Sequence, residues 1–131
     1  MTHLLSLVVC MAGITWLLLL AASLIRAKGW TPAGMKIAMG NRESLPEATP
    51  LAGRADRTAK NTLEAFVLFA ALALVAHVSG AQSPRLALGA EIFFWSRLIY
   101  IPVYYVGIPY LRTVVWTAGF VGLAMMAYSL G

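Results

Sequence analysis

The chain reads as four long apolar stretches separated by polar connections. Leu4 to Ile25, Ala65 to Val78 and Thr113 to Leu130 contain no Asp, Glu, Lys or Arg, and a further stretch from Pro84 to about Val106 is interrupted only by Arg85, Glu91 and Arg97. A bilayer core of about 30 Å needs roughly 20 mostly apolar residues per helix. The pattern therefore predicts four transmembrane helices at about residues 4–25, 55–79, 84–106 and 113–130, in an all-α membrane protein whose 131 residues form a single domain. The first stretch is too long for a signal-peptide core, and Met1, Thr2 and His3 precede it where a basic region would stand, so it is expected to be a retained helix. From Arg26 to about Gly53 the turn and breaker residues Lys28, Gly29, Pro32, Gly34, Gly40, Asn41, Pro46 and Pro50 predict a loop, with an interfacial turn near Trp30. The second helix is expected to begin near Arg54 or Ala55 and to stay polar through Glu64. Ser79 and Gly80 end it. Pro84 favours the start of the third helix, and Pro102 should bend it.

Composition agrees with a membrane as solvent, since 60% of residues are apolar and 11% are charged. The net charge of +5 raises the question of a nucleic-acid partner, but no soluble basic face exists to carry one. Membrane topology accounts for it better. Arg26, Lys28, Lys36, Arg42, Arg54, Arg57 and Lys60 lie between spans one and two, Arg112 between three and four, and only Arg85 at the other face. The positive-inside rule then places those two connections in the cytoplasm and both termini outside. The single cysteine, Cys10, has no intrachain partner for a disulfide and reads as lipid-facing or packed filler.

Candidate chemistry gathers at the cytoplasmic ends of the spans. At about 100° per residue, Arg57, Lys60, Asn61 and Glu64 share one face of the second helix. A solvated first turn with weak internal ion pairs gives the same pattern. Arg97 is the sharper signal, because an arginine well inside a span costs at least about 2.5 kcal/mol unless it snorkels or finds a partner. Tyr100 and Tyr104 follow it on the same face, and Arg112 opens the fourth span. Cations, hydroxyl donors, an amide and one carboxylate at a single membrane level suit a small anionic ligand that also carries an amine, with Glu64 facing the amine and the arginines facing carboxylates. Glu91, deeper in the third span and on another face, reads as helix-packing glue or as paired with a neighbour. His77 reads as interfacial, Trp30 and Trp116 as belt anchors, and Met125 and Met126 as apolar filler. No metal-spaced Cys/His cluster, Gly-rich phosphate loop or serine nucleophile motif is present.

These residues resemble those of the MAPEG family, the membrane-associated proteins in eicosanoid and glutathione metabolism, in a bacterial-type form. The stretch GRADRTAKNTLE at residues 53–64 is similar to the family's Arg-x-x-x-Asn-x-x-Glu signature, and RLIYIPVY at 97–104 and YLRT at 110–113 extend the resemblance, which runs from about Gly40 to the end. The resemblance implies a four-helix bundle assembled as a homotrimer, with glutathione as co-substrate held between subunits near the cytoplasmic face of a bacterial inner membrane. It implies glutathione contacts from Arg57, Lys60, Asn61, Glu64, Arg97, Tyr100 and Thr113, and catalytic roles for Arg112, which would stabilise the thiolate, and Tyr104, the competing donor. Gly53, Lys60 and Tyr100 depart from residues found in some relatives, so exact substrate chemistry does not transfer. The leading expectation is a glutathione-dependent transferase or peroxidase acting on small lipophilic electrophiles from the membrane lipid. The alternatives are a non-catalytic membrane protein of the same fold and a small proton-coupled exporter, which would use Glu64 or Glu91 but would lack the usual acid in its first span.

Overall fold

The computed structural model describes residues 1–42 and 45–131, leaving Glu43 and Ser44 outside the account. Among the described residues five helices follow one another: α1 (His3–Ala27), α2 (Pro32–Met39), α3 (Pro50–Ser79), α4 (Pro84–Val106) and α5 (Pro109–Leu130). Four of them, α1, α3, α4 and α5, are long and apolar enough to cross a membrane. The protein is an all-α membrane bundle.

Helix starts follow a shared local chemistry. Thr31, Thr49 and Ser83 each accept a hydrogen bond from a backbone N–H of the first turn, and each is followed by proline at the first helical position. Proline there loses no hydrogen bond, since that N–H has no intrahelical partner, and its fixed φ suits the helix. α3 consequently starts at Pro50, a turn earlier than its polarity predicts, and α5 starts at Pro109, not at Thr113. The same device turns part of the expected loop into α2. Gly34 lets that short helix approach the end of α1 closely, because a Cβ there would lie 1.9 Å from the Lys28 carbonyl oxygen. Arg42 donates from Nη1 to the Ser23 hydroxyl at 2.6 Å and from Nη2 to the Ser23 carbonyl at 2.7 Å, tying the connection beyond α2 back to α1.

Packing joins neighbouring antiparallel helices. Leu18 and Ala22 of α1 cluster with Ala55 and Ala59 of α3, while Leu7 and Met11 join Phe69, Ala73, Phe93 and Met126 in the larger core. Phe69 of α3 stacks on Phe93 of α4 with centroids 4.6 Å apart. α4 and α5 meet backbone to backbone at Gly89 and Gly122, where a Cβ on either would lie 2.6 Å from the other's carbonyl oxygen. Small residues that let helices touch are the expected means of association where lipid removes the usual hydrophobic drive. α4 continues through Pro102 to Val106 and ends at Gly107, whose φ of 88° is a left-handed conformation that favours glycine.

Candidate functional site

The bundle's polar end is the one where α3 begins, α4 ends and α5 begins. Arg54 Nε donates to the Tyr105 carbonyl oxygen at 2.9 Å, satisfying an acceptor in the last turn of α4. One turn further along α3, Arg57 Nε donates to the Tyr104 hydroxyl at 2.9 Å. One more turn brings Asn61 opposite Arg97, whose Nη2 donates to both the carbonyl oxygen and Oδ1 of Asn61. These three contacts fix the register of α3 against α4.

A cleft of about 460 Å³ opens between α3, α4 and α5 at this level. Arg57, Lys60, Asn61 and Glu64 line it from α3, Tyr100 and Tyr104 from α4, and Arg112, Thr113 and Trp116 from α5. Tyr104 organises the cations: the Arg112 guanidinium carbon lies 4.8 Å from its ring centroid and that of Arg57 lies 5.9 Å away. Tyr100 meets Tyr104 edge to face at 5.5 Å. Lys60 is paired with Asp56 at 3.1 Å one turn back along the helix, an exposed ion pair worth only a few tenths of a kcal/mol. Glu64 is exposed and makes no hydrogen bond or ion pair with any described residue, and the Thr113 hydroxyl donates at 3.3 Å to the Pro109 carbonyl oxygen. Arg112 and Thr113 belong to the first turns of α5, whose N-cap Ile108 supplies no side-chain bond. The free N–H groups there add positive potential beside the cleft.

The structure thus brings the sequence-derived candidates together, except that Arg97 does not line the cleft. It is 2% exposed and touches the site from behind, stacking over the Tyr100 ring at 4.4 Å and bonding to Asn61. Its Nε has no acceptor among the described residues, and no carboxylate neutralises it there. Helical spacing placed it on the right face but could not show that Asn61 would stand in front of it. Trp116 is the opposite case. Read as an interfacial anchor, it lines the cleft and stacks against Phe120 with centroids 4.2 Å apart. Its spacing of four from Arg112 was the available signal.

Other candidates lie elsewhere. Glu91 sits toward the opposite end of the bundle and is bonded to His3 Nε2, while Trp95 Nε1 donates to its other oxygen at 2.8 Å. That pairing ties α4 to the start of α1 and leaves the exporter reading without a free acid at Glu91. His77 is exposed in the last turn of α3, and Cys10 is exposed on α1. Among the described residues, no group of three or more His, Cys, Asp or Glu is placed to hold a metal ion.

Four membrane-spanning helices with a cation-rich cleft at one end of the bundle define an integral membrane protein. The chain belongs to the MAPEG family, whose sequence model matches residues 4–131. No curated protein and no solved structure matches it.

Proposed function

We propose that the protein is a glutathione-dependent membrane transferase or peroxidase, in which the cleft holds glutathione and activates its thiol for attack on lipophilic electrophiles. The observation that carries this reading is the convergence of Arg57, Lys60, Asn61, Glu64, Tyr100, Tyr104, Arg112 and Thr113 on one cleft in a chain of this family. Glutathione carries two carboxylates, one amine and one thiol. The cations of α3 answer the carboxylates, and Glu64, exposed and unpaired among the described residues, answers the amine. Arg112 over the Tyr104 ring supplies a guanidinium without a carboxylate partner among the described residues, which would lower a thiol pKa from its ordinary value of about 8.5. The Tyr104 hydroxyl already accepts from Arg57, so its own proton is free to point at a sulfur anion.

We further place the cleft at the interface of a homotrimer near the cytoplasmic face of a bacterial inner membrane, with both termini outside. Support comes from the basic residues gathered at one end of the bundle and from exposed Glu64, which faces outward from a single subunit inside a membrane span. An isolated carboxylate there is costly, and a neighbouring subunit would cover it. Saturable glutathione binding by the detergent-purified protein, with conjugation of a chlorodinitrobenzene-type electrophile, is the expected result. Binding without conjugation would leave a non-catalytic member of the fold, and absence of both would remove the proposal.

A further inference from the structure

The connection between α1 and α3 carries a surface that the cleft does not use. Gly29 N–H donates to the Leu24 carbonyl oxygen at 2.9 Å and Lys28 takes a left-handed φ of 53°, so the chain reverses as soon as α1 ends. Gly34 then seats α2 directly on that end, since a Cβ there would lie 1.9 Å from the Lys28 carbonyl oxygen and 2.4 Å from that of Ala27. α2 is therefore held at the level where α1 leaves the membrane. At about 100° per residue, Gly34 faces α1 while Met35 and Met39 share an outer side with Lys36 beside them. Met35 is 41% exposed, Met39 82% and the neighbouring Trp30 69%. Lys28 and Lys36 are exposed as well, and neither pairs with a carboxylate among the described residues. From Met1 to Arg42 the sequence holds no Asp or Glu that would neutralise them locally.

We propose that Trp30, Met35 and Met39 dock on the membrane interface and that Lys28 and Lys36 bind the headgroups of anionic phospholipids there. A helix with an apolar side flanked by lysines lies in the interface, its apolar atoms at the acyl boundary and its cations among the phosphates. Tryptophan suits the headgroup level, and the flexible methionine thioether adapts to an irregular surface. Charge complementarity selects the occupant. A second copy of the chain offers the same excess of cations at this level, where Arg54, Arg57 and Arg112 belong to the first turns of α3 and α5 and Asp56 is already paired with Lys60. An anionic bilayer offers the reverse, phosphates above and acyl chains below, and draws in basic segments within about a Debye length of its surface. The other cations of the connection are engaged, Arg26 with the Pro46 carbonyl oxygen and Arg42 with Ser23, which leaves Lys28 and Lys36 for the headgroups. The inference rests on the membrane spans and stands apart from the glutathione reading.

The test uses the full-length protein in phosphatidylcholine nanodiscs, with Trp16→Phe, Trp95→Phe and Trp116→Phe so that Trp30 alone emits. A small fraction of spin-labelled lipid, either phosphatidylglycerol or phosphatidylcholine, carries its nitroxide near the glycerol or near the chain end. The shallow label should quench Trp30 at least twofold more than the deep one. At equal mole fraction it should quench at least threefold more on phosphatidylglycerol than on phosphatidylcholine, and high salt should erase that preference. Lys28→Gln with Lys36→Gln should abolish the preference while shallow quenching persists, whereas Lys28→Arg with Lys36→Arg should keep it. Met35→Gln with Met39→Gln should weaken quenching by both lipids at least twofold. Equal quenching by the two lipids before the lysines are changed, or a preference that survives their loss, would overturn the proposal. Blue-shifted Trp30 emission that neither label quenches would assign the surface to another copy of the chain, and unquenched emission at the wavelength of tryptophan in water would assign it to solvent or a soluble partner; each defeats the lipid reading. If the lysine variants fail to fold, the salt dependence with the lysines in place decides.

Discussion

Arg97 is the residue whose energetics and role point in different directions. A buried guanidinium with no carboxylate partner among the described residues costs folding free energy, and its bonds go to Asn61, a cleft residue that water can reach. Replacing a buried charge with a packed apolar side chain is often neutral or stabilising. Arg97→Leu should therefore keep or raise the melting temperature in detergent while weakening glutathione binding about tenfold, roughly 1.4 kcal/mol. A large fall in melting temperature would make Arg97 structural. Glu64→Gln should keep or raise the melting temperature, since the carboxylate has no described partner and a charge inside a span is costly, and should weaken glutathione about tenfold or more. Calorimetry with a glutathione analogue lacking the amine separates the cause, because that analogue should bind wild type and variant alike. The stripe from Arg57 to Glu64 was legible because spacings of three, four and seven return to one helical face. The His3 bond to Glu91 was not, because 88 residues separate the pair and no local pattern links them.

At the scale of elements, apolar run length located the four spans, but polarity alone placed two helix starts too late. Thr49 with Pro50, and Ile108 with Pro109, sit in polar or irregular surroundings where proline reads as a breaker; only its position beside a free helix start shows that it begins one. Thr49→Ala should cost about 1 kcal/mol by removing the cap on Ala52 N–H, measurable as a lower thermal midpoint. The contact of α4 with α5 was invisible in the hydrophobic pattern, because Gly89 and Gly122 matter for what they lack. Gly89→Val or Gly122→Val would press a side chain into the facing backbone and should destabilise by about 1–3 kcal/mol or more. Gly13→Val is the matched control, since a Cβ at Gly13 meets nothing within 4 Å. Equal effects at all three positions would contradict the packing account.

For the whole molecule, charge asymmetry and span count support the proposed orientation, and the open cleft supports the proposed assembly. Reporter fusions at the two termini should both report the non-cytoplasmic side, and chemical cross-linking in the membrane should stop at three copies. A cytoplasmic terminus or a monomer retaining full glutathione affinity would each contradict that assembly. The polar lining of the cleft was legible in the sequence as a cluster, whereas the place of Trp116 in it was not, because a tryptophan near a helix end reads as a belt anchor until α3 and α5 are set side by side. The central claim, a cleft that binds glutathione and ionises its thiol, is tested most directly by titrating glutathione into the purified protein near pH 7 and following thiolate absorbance in the ultraviolet. The account predicts a saturable thiolate signal at a pH where the free thiol is mostly protonated, nearly abolished in Arg112→Ala although that variant still binds glutathione. No saturable signal in the wild type, or an undiminished one in Arg112→Ala, would contradict it.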